Sequence, residues 1–170
     1  NESLIATGFY RLGVWDDEPD DKRAAEFEGL DDMLKTTSET FMGLTVGCAR
    51  CHDHMFDPIS QLDYYEMLAF FRNVRFYDKP KYEWDSPTYS PLITPREVFA
   101  WQNRKDKPKD AKPPWDGHEY AMTVREYGAK PMDTHLLTRG NSGRPSKKVE
   151  PEFLKVLAKA KPAIAKSPNP

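Results

Sequence analysis

A chain of 170 residues with 38% hydrophobic and 31% charged residues can bury one ordinary core or two small ones. Its formal net charge of −2 argues against nucleic-acid binding, which needs a concentrated basic face. No apolar run approaches the roughly 18 residues that cross a bilayer. In chain order, the N-terminal "NESLIATGFYRLG" lacks the basic start, apolar centre and cleavage site of a signal peptide. It is already patterned, as in a fragment of a longer polypeptide, and residues 3–12 suit a short helix with Leu4, Ile5, Phe9 and Leu12 on one face. "WDDEPDD" (15–21) is an acidic turn without the glycine and terminal glutamate of a calcium loop.

The longest helical pattern runs from Lys22 to about Val46, with Phe27, Leu30, Leu34, Phe41 and Leu44 near helical spacing. Pro58 stops any continuation through the following segment. A third helix begins at Ser60, an N-cap with Asp63 in the first turn. Thirteen of the fifteen prolines lie after residue 78, and the texture changes there. Thr94, Pro95 and Glu97 form a capping-box start for a short helix over 94–105. Residues 105–117 are a charged, proline-rich loop. Residues 119–127 and 134–140 suit short strands, residues 151–160 a last short helix, and the tail a linker. The expected fold is mainly α: a helical region over 1–78 and a loop-rich, proline-rich region over 79–170 carrying short β-strands and packing on the first.

The chemistry is concentrated in "GCARCHDHMFDP" (47–58), which holds both cysteines and two of the four histidines. C-x-x-C-H is the attachment signature of c-type haem. Two thiols must reach the two vinyl groups on one side of the porphyrin, and the adjacent imidazole must reach the iron. Cys48 and Cys51 then form thioethers and His52 is the proximal iron ligand. A zinc site would use Cys48, Cys51 and His52 or His54, but it needs four ligands. The distant candidates are only His118 and His135. A redox dithiol stands third.

The stretch "FMGLTVGCARCHDHMFDPISQLDYYEMLAFF" (41–71) resembles the second planctomycete-specific cytochrome c domain, a domain of unknown function from large multidomain proteins. "ATGFYRLGVWDDEPDD" and "GLDDMLKTTSETF" resemble it too. "DTHLLTRGNSGRPSKKVEPEFLKVL" (133–157) resembles the segment that leads into the family's next domain. Met55 stands where the family pattern has lysine. The resemblance implies covalently attached haem c and an exported parent protein, periplasmic or at the cell surface. It also implies neighbouring cytochrome-like domains of the same polypeptide, or a redox partner protein, as partners.

The distal side of such a haem sets its use. Methionine or histidine there suits electron transfer, and an open position suits a peroxidase-like or substrate-oxidising enzyme. Met122 and His135 are the candidate distal ligands, with Met122 as the methionine that would join His52 on the iron; His118 comes third. Met122 alternates with Tyr120 and Val124 as a core strand residue would, and His135 sits beside Asp133 as a surface residue would. His54 with Asp53 and Asp57 suits a staple for the turn. Arg50, Arg72 and Arg75 are candidate partners for haem propionates or ordinary surface arginines. "YYEMLAFF" (64–71) would line a crevice or simply a core. Electron transfer is the leading reading, with the enzyme and a zinc-stapled interaction domain as alternatives.

Overall fold

The computed structural model describes residues 2–16, 18–77, 88–108, 111–113, 115, 118–128, 130 and 132–157. The chain forms two compact units: Asn1–Leu12 with Asp78–Arg125, and Gly13–Tyr77 with Glu126–Pro170.

In the first unit, helix α1 (Glu2–Ala6) passes into a 3-10 turn over Thr7–Arg11. Strand β1 (Tyr89–Pro91) pairs antiparallel with β2 (Tyr120–Met122), placing Tyr89 opposite Met122. Helix α4 (Pro95–Gln102) lies between them in sequence. It starts where the sequence says it should: the Thr94 hydroxyl accepts from the Glu97 N–H while the Glu97 carboxylate accepts from the Thr94 N–H. The N-terminal turn is tied to the residue after β2 by a 2.6 Å contact between the Thr7 and Thr123 hydroxyls. Arg11 Nε also donates to the Thr123 carbonyl. Trp101 and Trp115 meet edge to face, their ring centres 6.1 Å apart.

In the second unit, the Asp21 carboxylate caps helix α2 (Lys22–Thr37) by accepting from the Arg23 and Ala24 N–H groups. Its buried face is Phe27, Leu30, Met33 and Leu34. The helix stops short of Val46 because a wider turn over Ser38–Met42 ends in Gly43, whose φ of 66° reverses the chain. Helix α3 (Gln61–Leu68) opens with a capping box between Ser60 and Asp63 and buries Tyr64, Tyr65, Met67 and Leu68. Strand β3 (Thr134–Leu137) pairs antiparallel with β4 (Pro145–Val149), with an irregularity between His135 and Leu137. α3 packs on both α2 and β3. The core is built from Leu30, Leu34, Val46, Tyr64, Leu68, Leu137 and Leu154, none more than 1% exposed. Each large apolar side chain buried this way contributes about 1.5–3 kcal/mol.

The mainly α expectation is overturned. The described residues are 39% helical and 12% strand, with four α-helices and two small antiparallel sheets. Strands of three to five residues leave little alternation to read, and each is fixed by pairing with a partner strand, β1 by one some thirty residues on. The last expected helix is also absent over its described part: residues 151–157 are irregular chain ending in a turn. Residues 158–160 of that expectation lie outside the described residues. No helix among the described residues is long and apolar enough to cross a membrane.

Candidate functional site

The motif occupies the second unit, on a 3-10 turn over Val46–Ala49 that Arg50 continues in helical conformation. The turn is held by N–H bonds from Cys48 to the Thr45 carbonyl and from Arg50 to the Gly47 carbonyl. In a turn of three-residue period, positions i and i+3 share a side. Val46 and Ala49 take the inner side and are wholly buried. Cys48 and Cys51, also three apart, are exposed and carry no disulfide.

His52 is exposed, and its Nδ1 lies 2.6 Å from the Asp53 carbonyl oxygen. A carbonyl can only accept, so Nδ1 carries the hydrogen and Nε2 presents a lone pair. His54 has the opposite tautomer. Its Nδ1 accepts from the N–H groups of Phe56, at 3.2 Å, and Asp57, at 2.8 Å. Its Nε2 therefore carries the hydrogen, 3.0 Å from the Thr45 hydroxyl and 3.5 Å from an Asp57 carboxylate oxygen. His54 staples the turn after the motif and is itself almost buried, its side chain 6% exposed.

Several side chains hold this turn. The Arg50 carbonyl accepts from Gln61 Nε2 at 2.9 Å and from the Tyr65 hydroxyl at 3.1 Å. The same Gln61 amide donates to the Leu137 carbonyl, so one side chain spans α3, the motif and β3. The Asp53 carboxylate accepts from the Gln61 N–H at the start of α3. The Arg50 guanidinium donates to Asp31 on α2 at 3.1 Å, and the Tyr64 hydroxyl donates to the other Asp31 oxygen at 2.5 Å. Burial acts against the Arg50 charge, but Asp31 outweighs it and holds the guanidinium above its ordinary range. Burial, reinforced by Asp31, pushes the Tyr64 phenol well above its usual value; burial does the same to Tyr65. Both phenols stay neutral donors at any working pH.

Cys48, Cys51 and His52 thus form one exposed group. His135 lies in the same unit on β3, half-buried and opposite Lys148. Met122 lies in the first unit on β2, as does the exposed His118 in the loop before it. Arg50 and Arg72 are paired within the chain, to Asp31 and to Glu26. The aromatic run begins as core, with Tyr64 and Tyr65 1% exposed. Among the described residues, no three His, Cys, Asp or Glu side chains are placed to hold a metal ion.

Asp31, Gln61 and Gly140 were not singled out in the sequence, and Tyr65 entered only as part of the aromatic run 64–71. Gly140, at φ 70°, packs so closely that an added Cβ would stand 2.8 Å from the Cys51 sulfur. Its only signal was the turn composition of "RGNSG".

No curated protein and no solved structure matches the chain. Residues 1–76, the span from α1 through α3 that contains the whole motif, match the family model PSCyt2, described as a protein of unknown function (DUF1549). The match says nothing of a following domain. Residues 1–76 therefore carry the pattern of a planctomycete-cytochrome-associated domain of unknown function.

Proposed function

We propose that Cys48, Cys51 and His52 hold a covalent c-type haem, and that the chain is an electron-transfer module of a larger exported protein, periplasmic or at the cell surface. The observation that carries this reading is the His52 tautomer. Its Nδ1–H is spent on the Asp53 carbonyl, which leaves Nε2 as the iron-binding atom and raises its basicity. The unpaired, exposed thiols of Cys48 and Cys51 supply the rest. Cys48 and Cys51 would each hold the haem through a thioether to one vinyl group, the thiol hydrogen passing to the other vinyl carbon with no net oxidation. When bound, haem supplies a one-electron couple whose potential follows its axial ligands and burial. The chain's own residues fix the turn. Gln61 and Tyr65 lock the Arg50 carbonyl between the two cysteines. His54 and Asp53 lock the loop beyond them. Partners would be neighbouring cytochrome-like domains or a redox protein.

The test is a visible spectrum, oxidised and reduced, of protein matured by a haem-attachment system. Sharp α and β bands on reduction, surviving denaturation, are expected, and Cys48→Ser with Cys51→Ser should abolish them. Met122→Ala and His135→Ala then assign the distal ligand: the true one turns a low-spin spectrum high-spin. A wild-type spectrum that is already high-spin moves the open-site enzyme to first place. No Soret band after denaturation, with zinc bound instead, overturns the haem reading.

A further inference from the structure

The hairpin between β3 and β4 turns through Thr138–Arg144 and brings Gly140 onto Cys51. It is closed by N–H bonds from Thr138 to the Arg144 carbonyl, from Asn141 to the Thr138 carbonyl and from Arg144 to the Asn141 carbonyl. The Gly143 N–H adds a bond to the Asn141 side chain. Its base is tied to the motif, because the Gln61 amide bonds both the Leu137 and the Arg50 carbonyls. Arg139 and Gly140 are consecutive left-handed residues, at φ 54° and 70°. Arg139 is the one non-glycine among the described residues with a positive φ, a conformation that persists only where the surroundings over-determine it. At Gly140 the surroundings leave no room for a side chain. A Cβ there would stand 2.8 Å from the Cys51 sulfur, 3.3 Å from Arg50 Cγ and 3.5 Å from the Arg50 carbonyl oxygen. The first of these lies well inside carbon–sulfur van der Waals contact. Cysteine has one side-chain torsion to its sulfur, with staggered positions only, so the sulfur could escape such a Cβ only by leaving its present position.

We propose that Gly140 is the positioning residue for the second thioether: its bare backbone lets the Cys51 sulfur keep the rotamer from which it meets a vinyl group of the haem. The proposal rests on the haem reading above. Two thioethers to one rigid macrocycle need two sulfurs at a fixed spacing. The turn of the motif sets where the Cys48 and Cys51 backbones stand, but not where each sulfur points. At Cys51 the hairpin decides it. The backbone at Gly140 fills one side of the sulfur, and the exposed side is left for the vinyl group. The Cys51 sulfur then bonds one vinyl carbon and its hydrogen passes to the other, a step that needs no oxidant. Gly140 lies outside residues 1–76, the span that matches the family model. The attachment site is therefore completed by a part of the chain beyond that match.

The experiment counts thioethers in the full chain matured by a haem-attachment system. The pyridine haemochrome spectrum of the denatured product reports how many vinyl groups are saturated, and peptide masses report which cysteine carries the haem. Wild type should show both thioethers. Gly140→Ala should lower the doubly attached fraction about fivefold. Its reduced α band should move to longer wavelength, to where Cys51→Ser places it, with haem left on Cys48. A double-mutant cycle on haem-free protein separates the sulfur contact from the strain that alanine suffers at φ 70°, since that strain is common to both backgrounds. Gly140→Ala should raise the unfolding equilibrium constant about fivefold more in wild type than in Cys51→Ala. If Gly140→Ala does not fold, the Hα–Hβ coupling constants of Cys51 in haem-free wild type should report a single rotamer, and averaged couplings overturn the proposal. A doubly attached Gly140→Ala at the wild-type fraction, or a cycle without coupling, overturns the positioning role alone. A wild-type chain that takes up no haem overturns the haem reading and the positioning role together.

Discussion

Two histidines separated by one residue do opposite things, and the hydrogen on the ring decides which. His52 gives its Nδ1–H to a carbonyl and keeps Nε2 as a base. His54 uses Nδ1 to accept from two backbone N–H groups and Nε2 to face Thr45 and Asp57. His54→Ala should therefore leave the Phe56 and Asp57 N–H groups without their acceptor. We expect their amide hydrogen exchange to accelerate at least severalfold, at a stability cost of about 1–2 kcal/mol. His52→Ala should leave exchange at the same two amides unchanged. Equal protection in both variants would sink the staple role of His54. The sequence offered both histidines and a nearby Asp on either side. It assigned His52 to the iron and His54 to the turn but not their tautomers, which are set by the Asp53 carbonyl for His52 and by the Phe56 and Asp57 N–H groups for His54. Gly140 escaped notice for a related reason: it lies 89 residues along the chain from Cys51, and only the folded hairpin brings it there.

At the scale of elements, local chemistry was legible at the starts of α3 and α4, where Ser60 and Thr94 cap their helices as the sequence indicates, since an N-cap needs only residues three positions away; the Asp21 cap of α2 lay unread within an acidic turn. The end of α2 was less legible. Its apolar pattern continues past Thr37, but Gly43 takes the left-handed conformation and ends it. The α3 cap also carries a pH dependence. Burial raises the Asp63 pKa, but bonds from the Ser60 hydroxyl and N–H and from Lys155 outweigh it, so the folded value lies below the usual carboxylate range. A folded pKa below the unfolded one contributes stability above the unfolded value, near 3.9. That contribution is lost as pH falls through the lower folded pKa. The stability difference between wild type and Asp63→Asn should thus be flat from about pH 5 to 7 and shrink below about pH 4. Urea denaturation at stepped pH measures it, and a difference that grows on acidification would exclude the carboxylate as the source. Strands β1 and β4 were not foreseen at all. β4, "PSKKV", has one buried residue in five, and nothing in it announces a strand until β3 lies alongside.

For the whole molecule, the segment after β4 shows how far packing outruns pattern. Residues 151–160 have the spacing of a short helix, yet 151–157 run as irregular chain into a turn, and Leu154 is wholly buried. The neighbouring Phe153, Val156 and Leu157 are exposed. Lys155 reaches the Asp63 and Glu66 carboxylates of α3, and the Glu152 N–H donates to the Glu66 carbonyl. The segment is an arm pinned to α3, so Leu154→Ala should cost about 2–5 kcal/mol, whereas Leu157→Ala should change stability by no more than about 0.5 kcal/mol. Thermal or urea denaturation followed by circular dichroism separates the two; equal small effects would mean the arm is not part of the core. By itself the sequence determined the composition of the motif, the order of its two thiols and imidazole, the caps of α3 and α4, and the apolar face of α2. All of these depend on residues within about one helical turn of one another. Only the tertiary structure decided the mixed fold and the division into two units. It also decided the placing of Asp31, Gln61, Tyr65 and Gly140 around the motif. Those depend on contacts between residues far apart in the chain, whose free energy appears only when the partner segments are packed together. The tautomers of His52 and His54 involve near neighbours, but the folded loop conformation alone selects them.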